Sequence, residues 1–190
     1  MAFPVEFERL ASAFDALKAQ RATEEEAREL GFNAMQRFID EHRQYFNTAP
    51  TFEFRRLMEE ELALVAALSQ DSVRVCAKYV TAGRLDPSYR PNLATRAVQA
   101  RYGPVMIRAV RSGRDTPVIR SSPTDSDYEA YGSALRAQQL DERLISAMAE
   151  EKTADLSYAD QCAAGHAAVA AFLAIDAEAA ARLYAAGDGT

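Results

Sequence analysis

Apolar residues recur three or four apart along nearly the whole chain, the period of an amphipathic helix and not of a strand. Phe7, Leu10, Phe14 and Leu17 predict a first helix with those four as its buried stripe. Pro4 suits its first turn, where a missing N–H is no loss. Thr23 followed by Glu26 reads as a capping box opening a second helix, which Leu30, Ala34, Phe38 and Ile39 carry toward Phe46. Asn47-Thr48-Ala49-Pro50 stops it. A third helix runs from about Phe52 to Ser69, with Phe54, Leu57, Met58, Val65 and Leu68 on one face. Asp71 or Ser72 caps a fourth, which turns Val73, Cys76 and Val80 inward and ends at Gly83.

The middle of the chain loses this regularity. Residues 83–92 hold Pro87 and Pro91 and read as an extended loop, and Asn92 can cap a short helix from Leu93 to Tyr102. Gly103-Pro104 then breaks the pattern. The run 105–110 fits a further helix with Pro104 in its first turn, or a strand paired with 117–120 as a small β-hairpin near 105–120. The pattern favours helix for 105–111 and coil for 113–122. After Pro123, Thr124, Asp125 or Ser126 can cap one long helix or two, interrupted between Gly132 and Leu140. The segment 154–186 has 15 alanines, which favours helices that approach closely. Tyr158, Cys162, His166, Val169 and Leu173 form one stripe there, and Asp176 can cap a final helix ended by Gly187.

The fold class expected is all-α: an antiparallel helical bundle of roughly seven to nine helices in a single domain over residues 1–190, with helices over 4–83, an Arg-rich middle at 84–122 and helices again over 123–186. No signal peptide or membrane span is read, so a soluble, cytoplasmic protein is expected. Cys76 and Cys162 stand in no paired motif. Two thiols packed as small apolar groups in a reducing compartment are the expectation.

Charge changes the picture more than composition does. The net charge is −6, yet residues 84–120 hold eight arginines against Asp86 and Asp115, a local +6. Arginine outnumbers lysine 19 to three over the whole chain, so the choice of arginine itself is not specific to this segment. Arg84, Arg90, Arg96, Arg101 and Arg108 interleave with Tyr89 and Tyr102, so guanidinium and aromatic faces that bind phosphates, bases or carboxylates occur together. These seven residues are the candidate partner- or anion-binding site. The competing reading is internal pairing with the acidic remainder.

Other chemistry is weaker. Cys162 and His166 share a helical face and, with His42 and Cys76, would give a Cys₂His₂ zinc set, but core packing explains them better. Glu26 and Glu29 form an ExxE that resembles the half-motif of all-α nucleotide pyrophosphohydrolases, without the ExxD those enzymes pair with it. Glu61 falls inside the apolar stripe of the third helix and must be paired, neutral or at the rim of a pocket. No nucleophile elbow or phosphate-cradling glycine loop is present. The expectation is a non-enzymatic interaction or regulatory protein without metal or cofactor, docking an acidic protein partner or a phosphate-bearing ligand through 84–120. A metal-dependent all-α enzyme acting on a phosphorylated small molecule and a nucleic-acid-binding module are the alternatives. No membrane is expected as a partner, and self-association into a homo-oligomer is compatible with the pattern.

Overall fold

Most helix starts lie where side-chain caps put them, α1 and α3 being without one. A computed structural model describes residues 3–150 and 152–187, and among these the order is α1 (Pro4–Ala19), α2 (Glu24–Asn47), α3 (Thr51–Asp71), α4 (Val73–Ala82), α5 (Leu93–Asp115), α6 (Asp125–Ala137), α7 (Glu142–Ala149), α8 (Tyr158–Ala174) and α9 (Ala177–Gly187), with one 3₁₀ turn at Thr153–Asp155. Thr23 and Glu26 exchange the two capping-box bonds, 2.7 Å from the Thr23 N–H to Glu26 and 3.2 Å from the Glu26 N–H to the Thr23 hydroxyl. Ser72, Asn92, Thr124, Ser157 and Asp176 each accept from a first-turn N–H of the next helix. Gly83 ends α4 in the left-handed conformation, φ 65°.

Within the span read as one helical domain, contacts divide the chain into two compact units. The first runs to Arg43 and includes Asp86–Ser88; the second comprises Gln44–Leu85 and the residues from Tyr89 onward. In the first, Phe3, Phe38 and His42 cluster with ring centroids 4.6–5.1 Å apart, and His42 Nε2 lies 3.2 Å from Glu6. The stripe expected to be buried on α1 is only partly so. Leu10 and Leu17 are half-buried, whereas Phe7 and Phe14 remain 54% and 38% exposed. Leu10 and Ala13 share a cleft with Leu30, Ala34 and Phe38 of α2, and one neighbouring helix cannot cover the rest of the stripe.

The second unit is built around α3. Leu64, Val65 and Leu68 of α3, Cys76 and Tyr79 of α4 and Cys162 of α8 form one core cluster, and Leu135 of α6 with Ala167 and Ala171 of α8 form another. Along α5, Val105, Met106, Ala109 and Val110 are buried, and α5 packs chiefly on α3. That packing overrides the expected break at Gly103-Pro104, because α5 continues unbroken from Leu93 to Asp115. Pro104 withholds one N–H from the carbonyl of Ala100 on an exposed face, where water can take its place. The β-hairpin near 105–120 is not formed: the described residues contain no strand. Residues 116–124 are coil, and the Val118 N–H donates to the Thr48 carbonyl (2.8 Å) at the α2–α3 corner. Arg120 is buried at the same corner and donates to the carbonyls of Asn47 (2.8 Å) and Ala49 (2.7 Å), with Glu178 at 3.2 Å. It satisfies carbonyls left open by the end of α2.

The thiol expectation is corrected. Cys76 and Cys162 are joined by a disulfide, with Cα atoms 5.4 Å apart. The cause is the close approach of α4 and α8. A Cβ on Gly165 would lie 2.4 Å from Val80 Cβ, so the glycine lets the helices meet one turn from the cysteines. The bond also removes both sulfurs from the zinc set, and no group of three metal-ligating side chains occurs among the described residues.

Candidate functional site

α5 carries five arginines, Arg96, Arg101, Arg108, Arg111 and Arg114, and a single acid at its last position, Asp115. Seven residues make almost two turns, so Arg101 and Arg108 lie in register, with Pro104 and Arg111 on the same exposed strip. The opposite strip is the buried one, Val105, Met106, Ala109 and Val110. Packing against α3 therefore fixes which way the row faces.

Internal acids take up only part of this charge. Arg101 Nε lies 3.4 Å from Glu60, and Arg111 and Arg114 share Asp115 at 3.3 and 2.9 Å. Hydrogen bonding from Arg114, assisted by Arg111, holds the Asp115 carboxyl below the usual range. These arginines are at least a third exposed, and exposed pairs of this kind exchange readily with a competing anion. Arg108 is exposed and meets no carboxylate among the described residues, and Arg84 is in the same state beyond Gly83. Arg96 Nε donates to the Pro91 carbonyl (3.0 Å) and Arg90 to the Tyr89 carbonyl (3.3 Å); both side chains are exposed.

The two tyrosines take no part in the exposed row. Tyr89 is half-buried and its hydroxyl donates to Asp71, with burial first and this bond second pushing the phenol up to about 12. Asp71 also accepts the Asn92 N–H at 3.0 Å, so the pair anchors the loop that leads into α5. Tyr102 turns inward toward Glu61.

Glu61 was expected to be paired, neutral or at a pocket rim, and an internal arginine is the usual partner of such an acid. It has none. Its carboxyl end is enclosed beside Tyr102 and accepts from the Tyr79 hydroxyl at 3.0 Å. Desolvation outweighs both phenols and raises its affinity for a proton. Sequence position alone marked Glu61 as unusual; the tyrosines that enclose it come from α4 and α5, and nothing local announces them. Glu26, by contrast, is spent on the Thr23 cap, which lowers its carboxyl.

The Glu61 environment has a signed consequence. The folded-state value lies above the unfolded one, so the contribution to stability is complete below the unfolded carboxylate range and is lost as pH rises through the folded value. Glu61→Gln keeps an oxygen for Tyr79 but cannot ionise. We expect its unfolding midpoint at pH 8 to exceed that of the wild type by about 2–6 °C for a chain of this size. The gap should close near pH 4.5, and equal midpoints at both pH values would show that Glu61 ionises freely.

No protein-family model, curated protein or solved structure matches this chain. The functional reading therefore rests on the geometry above.

Proposed function

We propose that this chain is a non-enzymatic docking protein, regulatory in role, that captures an acidic or phosphate-bearing partner on the solvent face of α5. One observation carries the reading. A helix fixed by its buried face on α3 presents Arg101, Arg108 and Arg111 in register, with Arg108 meeting no carboxylate among the described residues and a lone acid at the helix end. Arginine suits carboxylate and phosphate because its planar fork donates two parallel hydrogen bonds. Arg96, and Arg84 and Arg90 in the preceding loop, would extend the contact. Tyr89 and Tyr102 would act only by holding the loop and helix in place.

The test is charge reversal on the full chain. We expect Arg96→Glu, Arg101→Glu and Arg108→Glu together to lower capture of acidic or phosphorylated peptides at least tenfold, since each good charge-assisted contact is worth about 1.5–3 kcal/mol. The circular dichroism spectrum should be unchanged, because all three residues are exposed. Unchanged capture would exclude this face. A steep loss of affinity for single-stranded nucleic acid with added salt would instead favour the nucleic-acid alternative. The metal-dependent alternative gains no ligand cluster from the described residues.

A cytoplasmic setting belongs to the same proposal. No helix among the described residues is long and apolar enough to cross a membrane. The Cys76–Cys162 bond counts against that setting if it is permanent, since cytosolic thiols are kept reduced.

A further inference from the structure

The two ends of the disulfide have different surroundings. Cys76 is fully buried among Leu64, Val65, Leu68 and Tyr79. Cys162 belongs to the same core and is only 3% exposed, but it also borders an open cleft of about 500 Å³ between the α3–α4 corner, the α6–α7 loop and α8. The α8 wall of this cleft is low, because Ala159, Ala163 and Ala167 carry single-carbon side chains around Cys162. His166 stands one turn from Cys162 on the same wall and is half-buried. Ser69 and Gln138 add polar groups across the opening.

We propose that this cleft is a thiol-exchange site, at which a small peptide thiol of the glutathione class attacks Cys162 and opens the disulfide. The His166 imidazole takes the proton of the incoming thiol. Its thiolate forms a new S–S bond to Cys162 Sγ, the Cys76–Cys162 bond breaks, and the Cys76 sulfur leaves with the electron pair and is protonated. A second thiol attacks the sulfur of the bound small molecule, which departs as its own disulfide and leaves Cys162 reduced. Two small thiols are oxidised and one protein disulfide is reduced, so atoms and electrons balance. Attack on Cys76 is closed off, because its side chain is fully buried. The consequence is a bond that responds to the thiol pool and removes the covalent link between α4 and α8 when it opens. This inference does not depend on the docking role of α5.

The test uses full-length chain. Cys76→Ser leaves Cys162 as the sole thiol, and Cys162→Ser leaves Cys76. Each is incubated natively with oxidised glutathione, and mass spectrometry follows adduct formation while circular dichroism confirms folding. We expect one glutathione per chain on Cys76→Ser and at least tenfold slower addition to Cys162→Ser. His166→Asn in the Cys76→Ser background should slow addition several-fold near pH 7 and remove an inflection from the pH–rate profile. Should a variant fail to fold, wild-type protein treated with reduced glutathione and quenched by acid decides the matter, with the mixed disulfide expected on the peptide containing Cys162. Equal reactivity of the two cysteines, addition only under denaturant, or a mixed disulfide on Cys76 would overturn the assignment. An unaltered pH profile in His166→Asn would remove His166 from it.

Discussion

Full reduction of the Cys76–Cys162 bond, or its replacement by two serines, is expected to lower the unfolding midpoint by about 10 °C. The linked residues are 86 apart in sequence. Closing a loop of that length restricts the denatured ensemble by about 4–5 kcal/mol on the chain-entropy account. For a chain of this size each kcal/mol moves the midpoint by about 2–4 °C. Native strain and residual denatured structure reduce such gains, so the lower part of the resulting range is the one expected. The measurement is thermal unfolding with and without a phosphine reductant, with the double serine variant as a control that must not respond to reductant. Coincident midpoints for oxidised and reduced protein would mean that packing alone holds α4 on α8.

Gly113→Ala is expected to destabilise the second unit by about 3 kcal/mol or more, beyond the usual penalty for one extra methyl group in a packed core. Its Cβ would lie 1.9 Å from the Tyr45 carbonyl oxygen, 2.9 Å from its carbon and 3.0 Å from the Ala49 nitrogen. All three are backbone atoms at the corner between α2 and α3, so no rotamer change relieves the clash. The helix propensity gained on replacing glycine, up to about 1 kcal/mol, does not offset it. Relief requires moving α5 off that corner, which would also stretch the 3.0 Å bond from the Thr48 hydroxyl to the Gly113 carbonyl. Gly132→Ala is the control: its Cβ would meet only the far end of the Arg136 side chain at 3.8 Å, and it should be neutral or stabilising. Chemical denaturation of both variants separates the cases, and similar midpoints would show that α5 can shift freely.

Such close approaches explain why part of the molecule was legible in advance and part was not. Caps are local: Thr23 with Glu26, Ser72, Asn92, Thr124 and Asp176 act on N–H groups two or three residues away, so the pattern places the helix starts. Gly103-Pro104 is local too, yet the expectation of a break there fails. Burial of Val105, Met106, Ala109 and Val110 on α3 outweighs one missing hydrogen bond on the exposed side. The docking face stands between these cases. Sequence spacing aligns Arg101 with Arg108, but only the packing of α5 shows that the strip faces water and that, among the described residues, no acid pairs with Arg108.

Residue patterns along the sequence determined that the chain is mainly helical, with a hairpin near 105–120 left open, where most helices begin and that positive charge gathers at 84–120, because these depend on residues a few positions apart. The tertiary structure decided what depends on distant residues meeting. It joined Cys76 to Cys162 across 86 positions, enclosed Glu61 between Tyr79 and Tyr102, buried Arg120 against the carbonyls of Asn47 and Ala49, and left Arg108 exposed. Periodicity tells which side of a helix is apolar. It does not tell which other helix covers that side, and the disulfide, the buried acid and the exposed arginine all follow from that second fact.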